Sequence, residues 1–98
     1  MPTSENRQRE PGADAGPAPN GATHQVIDAR GISPPLPILR AHRALRLMEA
    51  GQVLKVLTSQ EQTLAEFQAL VKHVPGYELL SQQEQPAGEY VHLLRKRR

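Results

Sequence analysis

Ninety-eight residues with 38% hydrophobic side chains, three aromatics and a net charge of +2 leave room for one small domain with an aliphatic core. The chain has no cysteine, which excludes disulfides, thiolate catalysis, iron–sulfur ligation and all-cysteine zinc sites. No apolar run approaches the roughly 20 residues that cross a bilayer, and the small charge does not by itself argue for nucleic acid.

Residues 1–23 hold four of the nine prolines and three of the seven glycines, and Met1 is their only large apolar side chain. Such a segment cannot bury enough apolar area to offset its ordering entropy. A disordered leader is therefore expected over 1–23, with the folded domain at 24–98. The opening MPTSENRQREPG lacks the charged-then-apolar pattern of an export signal, so a cytoplasmic protein is expected.

HQVID (His24–Asp28), followed by Gly31, predicts a short first strand. Ile38, Ala41, Leu45 and Met48 then recur at the spacing of one helical stripe. Pro37 suits the first turn of that helix and Gly51 a position just past its end. QVLKVLT (Gln52–Thr58) predicts a largely buried strand. Ser59 and Gln62 have the spacing of a capping box. Leu64, Phe67, Val71 and Val74 continue as a second helical stripe that Pro75-Gly76 stops. YELLSQQ (Tyr77–Gln83) and EYVHLL (Glu89–Leu94), on either side of Pro86 and Gly88, predict an antiparallel hairpin.

The order β-α-β-α-β-β, with one apolar stripe per helix, predicts a two-layer α/β (α+β) sandwich. Both helices cover one face of a four-stranded mixed sheet, and the first two strands run parallel through a helical crossover. Fold alone does not choose an activity.

The segment IDARGISPPLPILRAHRAL resembles the opening of the TusA/SirA-like sulfur-carrier family. The family signature is an Asp, then Gly-Leu, one residue, and Cys-Pro-x-Pro leading into a helix. Asp28, Gly31, Ile32, Ser33, Pro34, Pro35, Leu36 and Pro37 stand in that frame. Gly76-Tyr77-Glu78-Leu79-Leu80 resembles a later family stretch, and Tyr90 to Lys96 resembles its closing strand. The resemblance implies the fold already derived and a persulfide-carrying cysteine at the helix entrance, where unpaired N–H groups favour a thiolate. At that position this sequence has Pro34, which has no nucleophile. The family's Asp-Pro before the second helix is also missing, with Ser59-Gln60 near its place. The expected function is therefore a family member inactive in sulfur transfer, not an enzyme, that binds or regulates a sulfur-trafficking partner without a cofactor.

Other chemistry is sparse. Ser33 neighbours the lost thiol, but a serine hydroxyl needs a base to become a nucleophile, and none is evident. His24, His42, His73 and His92 fall on four different elements without metal-ligand spacing; His24 and His92 could approach on neighbouring strands, but two imidazoles without nearby carboxylates make a weak site. They read as ordinary surface or edge histidines. Within 24–98, ten basic residues against seven acidic ones give about +3. Arg40, Arg43 and Arg46 recur on the first helix, Arg30 precedes the proline loop, and Arg95 opens a basic tail. Arg30, Ser33, Arg40, Arg43 and Arg95 are thus the candidate partner-binding residues. The basic tail leaves one alternative, a nucleic-acid-binding accessory protein, with few aromatics available for base stacking.

Overall fold

The computed structural model describes residues 23–97, so the expected leader lies outside the described residues apart from Thr23. Four strands and two α-helices follow in order: β1 (Gln25–Asp28), α1 (Leu36–Leu47), β2 (Val53–Thr58), α2 (Thr63–His73), β3 (Tyr77–Gln85) and, after a 3-10 turn at Pro86–Gly88, β4 (Glu89–Lys96). The four strands form one mixed sheet in the order β1-β2-β4-β3. β1 and β2 are parallel, with Ile27 opposite Val56. β4 runs antiparallel to both its neighbours. The two-layer βαβαββ sandwich expected from the sequence is the fold observed.

Side-chain alternation explains which sheet face is covered. In β2, Leu54, Val56 and Thr58 are fully buried, and in β4 Tyr90, His92 and Leu94 are nearly or fully so. These residues face the helices, because successive strand side chains point to opposite sides. Lys55, Leu57, Val91, Leu93 and Arg95 occupy the alternate positions on the uncovered face. From above, α1 contributes Pro37, Ala41 and Leu45, and α2 contributes Thr63 and Phe67. Phe67 and Leu45 are completely enclosed, and burying each contributes roughly 2–3 kcal/mol.

Local details depart from the sequence reading at several points, among them β4, which ends at Lys96 and not at Leu94. The helix-ending role expected of Gly51 is displaced, because α1 stops at Leu47. Met48 still reaches the core, and Gly51 instead makes the turn into β2 at φ +91°. β3 runs on to Gln85, two residues past its expected end, with a bulge between Leu79 and Ser81. The Ser59/Gln62 capping box does not form. α2 starts at Thr63 after Gln62, no side chain caps it, and the Ser59 hydroxyl is engaged elsewhere.

Candidate functional site: the entrance to the first helix

The stretch from Ala29 to Pro35 joins β1 to α1 and is held from both sides. The Ala29 N–H donates to the Leu57 carbonyl at 2.8 Å, extending the parallel pairing by one residue. Gly31 turns the chain at φ +76°, a region that disfavours other residues, and its N–H donates to Ser59 Oγ at 2.7 Å. Ser59 leads the segment before α2, so this bond ties the entrances of the two helices together. The Ser33 carbonyl accepts from the Leu36 N–H, and the Pro35 carbonyl accepts from the Leu39 N–H.

Of the three prolines, Pro37 is buried as an anchor within the first turn, Pro34 is half-buried and Pro35 is exposed. The Pro34–Pro35 peptide is cis. Pro34 stands just before the N-cap Pro35, at the mouth of α1. It supplies an apolar ring with no donor and no ionisable group. The Ser33 hydroxyl has no hydrogen-bond partner among the described residues, and no base activates it. The entrance thus presents the Pro34 ring beside an unactivated serine, without a nucleophilic constellation among the described residues.

Arg30 and Asp28, two residues apart at the start of the motif, form a fork. Arg30 Nε and Nη2 donate to the two Asp28 carboxylate oxygens at 2.9 and 2.8 Å, and the Arg30 N–H adds a third bond. Arg30 Nη1 also reaches Glu89 on β4, at 3.4 Å from each oxygen. Hydrogen bonds from the guanidinium, then from the backbone, hold the Asp28 carboxyl down at about 2. The same pairing raises the Arg30 guanidinium further. This cluster is solvent-exposed. Its role is to fix the β1 end of the loop, and Arg30 is consequently not a free cation for a partner.

Beneath the second entrance lies a polar network that the sequence reading missed. His92, read as an ordinary surface or edge histidine, is fully buried, as are Thr58 and Thr63. Its ring packs on Phe67 with centroids 4.4 Å apart. Gln82 Nε2, which can only donate, lies 3.0 Å from His92 Nδ1. Nδ1 is therefore the acceptor and Nε2 carries the proton, donating to Thr58 Oγ1 at 2.9 Å. Thr58 donates in turn to Thr63 Oγ1 at 2.8 Å, and Thr63 to the Gln60 carbonyl at 2.6 Å. Burial pushes the imidazole down to about 4. The chain of bonds pins the segment that carries Ser59, and through it Gly31. Nor do His24 and His92 meet: β2 lies between their strands, and His24 Nδ1 accepts from the Val53 N–H at 2.9 Å. A signal was present, since period-two alternation from Leu94 and Tyr90 already places His92 on the inward face.

The remaining basic residues are dispersed. Arg40 and Arg43 lie exposed on α1, leading away from Pro34. Arg95 is on the uncovered sheet face at the opposite end of the domain, bonded to Glu78 at 2.7 Å. It borders a hollow of about 480 Å³, open to solvent, shared with Gly51, Glu78, Lys96 and Arg97. Lys96 Nζ is bound to the Arg46 carbonyl at the end of α1. The structure groups Asp28, Arg30, Gly31, Ser33 and Pro34 at one entrance, with Arg40 and Arg43 along the adjoining helix, and leaves Arg95 apart. No described helix is long and apolar enough to cross a membrane.

The fold defines a class: small two-layer α/β sandwiches in which two helices cover one face of a four-stranded mixed sheet. Residues 25–96 match the family described as Sulfurtransferase TusA, and the chain belongs to this TusA/SirA-like family. It is 39% identical over 72 residues to the sulfur carrier protein TusA of Allochromatium vinosum, covering 74% of this chain and 92% of that one. The sulfur carrier protein TusA of Pseudomonas entomophila is 37% identical over 72 residues, covering 74% and 88%. The crystal structure of the SirA-like protein from Desulfitobacterium hafniense superposes with a TM-score of 0.65 at 29% identity. That match covers 76% of this chain and 99% of that one.

Proposed function

We propose that this TusA-family protein does not carry sulfur itself and acts as a binding or regulatory module for sulfur-trafficking partners. The observation behind the reading is the absence of any cysteine in the chain, with Pro34 standing where the family frame holds its persulfide cysteine. A persulfide needs a thiolate to accept it, and neither a proline ring nor an unassisted serine hydroxyl can substitute.

What is retained supports docking. The entrance is held by the bond from Gly31 to Ser59 and by the Arg30–Asp28 fork, both formed without a partner. A preorganised surface loses little entropy on binding. In this reading the folded module is residues 24–98, the contact residues are Pro34, Ser33 and the arginines leading from the entrance, and the protein works in the cytoplasm beside its partner. It is not an enzyme.

The test is direct. The purified chain is incubated with a cysteine desulfurase loaded with labelled persulfide sulfur, alongside a cysteine-bearing TusA. The TusA acquires stable, reductant-sensitive label and this chain acquires none. It nevertheless slows transfer to TusA by competing for the desulfurase. Stable covalent label on this chain overturns the reading, and so does a failure to compete.

A further inference from the structure

The solvent side of α1 has an unusual composition. At about 100° per residue, Leu36, Leu39, Arg40, Arg43, Arg46 and Leu47 fall within an arc of about 120°, opposite the buried Ala41 and Leu45. Only leucine and arginine occupy this arc. The three leucines are 48%, 57% and 80% exposed, and with Val26 they are the exposed large hydrophobics of the described residues. None of the three arginines pairs with a carboxylate among the described residues, and α1 contains no acidic residue.

Leucines at such exposure raise the cost of leaving the face in water, and the unpaired guanidinium groups set the sign of what covers it. A second copy of this face would bring arginine against arginine, so self-association is disfavoured. A lipid surface suits helices whose cations flank an uninterrupted apolar stripe. Here Arg43 stands in the middle of the arc, between Leu39 and Leu36, where insertion would carry its charge into hydrocarbon. A protein helix can place a carboxylate opposite Arg43 and form a bidentate pair while its apolar side chains cover the leucines.

From these observations we infer that the outer face of α1 is a docking surface for an amphipathic helix of a partner, with aliphatic residues along one stripe and carboxylates beside them. The inference rests on the reading of this protein as a binding module and specifies the partner's chemistry. The face extends about 16 Å from Leu36 to Leu47, enough for three turns of such a helix.

The experiment titrates the ¹⁵N-labelled full chain with a synthetic helical peptide of about 18 residues with leucine at the heptad a and d positions and glutamate beside them. A peptide with lysine replacing every glutamate and vesicles of phosphatidylglycerol serve as the other arms. The glutamate peptide is expected to shift the amides of residues 36–47, and the lysine peptide is not. Arg43→Glu weakens binding by at least about tenfold, whereas Lys72→Glu, on the exposed side of α2, does not. Should Arg43→Glu not fold, Leu47→Asp reads the same face. No binding of the glutamate peptide, equal binding of the lysine peptide, or binding to vesicles alone overturns the inference. A labelled persulfide on this chain would instead overturn the sulfur reading and leave the peptide result standing.

Discussion

His92 Nε2 lies 2.9 Å from Thr58 Oγ1, and both side chains are wholly enclosed between the sheet and α2. Among the described residues no carboxylate is bonded to the ring: its partners are Thr58, Thr63 and Gln82, and its neighbour is Phe67. The imidazole is therefore stable there only while neutral, and the folded state resists protonating it. Its value falls from 6.5 to about 4 on folding, so between these limits the unfolded chain binds more protons. Stability is complete above pH 6.5 and decreases as pH falls toward 4, by up to about 3 kcal/mol. Urea denaturation at pH 7.5 and at pH 4.5 checks this, and His92→Gln should flatten the difference. An unchanged midpoint across that interval contradicts the burial argument.

Thr63 is the relay between His92 and the Gln60 carbonyl. Replacing it with valine keeps the volume and removes the hydroxyl. Thr58 then loses its acceptor, while the Gln60 carbonyl keeps the Thr63 backbone N–H and loses only the hydroxyl, at a cost of about 1–3 kcal/mol. The same change should speed amide exchange at Gly31, since the Ser59 segment loses its anchor. Denaturation gives the first quantity and hydrogen exchange the second.

Gly31 sits at φ +76°, and a Cβ added there would meet no atom within 4 Å. The cost of Gly31→Ala is therefore in the backbone alone, about 1–2 kcal/mol. Ser59→Ala, which removes only the exposed hydroxyl acceptor, should cost about 1 kcal/mol or less. The glycine variant is the more damaging of the two in thermal melts.

The Asp28 carboxyl should titrate near 2 by NMR, below its ordinary 3.8, because the Arg30 fork stabilises the ionised form. Arg30→Ala returns it toward 3.8. The sign is the usual one for a carboxylate: whatever the pair contributes is present above 3.8 and lost as pH falls through about 2.

Pro34→Cys places a thiol at the mouth of α1. If the entrance otherwise retains the geometry of its relatives, the variant gains one sulfur atom in mass from a loaded desulfurase, and reductant removes it. The parent chain shows no such gain under the same conditions.

Some elements were legible because they depend on period. Ala41, Leu45 and Met48 repeat at helical spacing, and each is buried where that spacing places it. Pro75-Gly76 interrupts α2's pattern and the helix ends at His73. Ser59 was misread because its local spacing to Gln62 suits a cap, whereas its actual partner, Gly31, is 28 residues away. His92 was misread for a related reason, since the polarity of a side chain is visible in a sequence and the partners that satisfy it are not. The leucines at 36, 39 and 47 fell outside the stripe that explained α1, and their exposure emerged only with the helix seated on the sheet.

Local periodicity, turn residues and the missing thiol were settled by the order of amino acids alone, because each depends on neighbours within a few positions or on composition. Pairings that close long loops were decided by the packed chain: Gly31 to Ser59, Arg30 to Glu89, and His92 to Thr58 and Gln82. Those contacts exist only once β1 and β4 have joined β2 and α2 has covered them, for a hydrogen bond depends on where two groups meet in space.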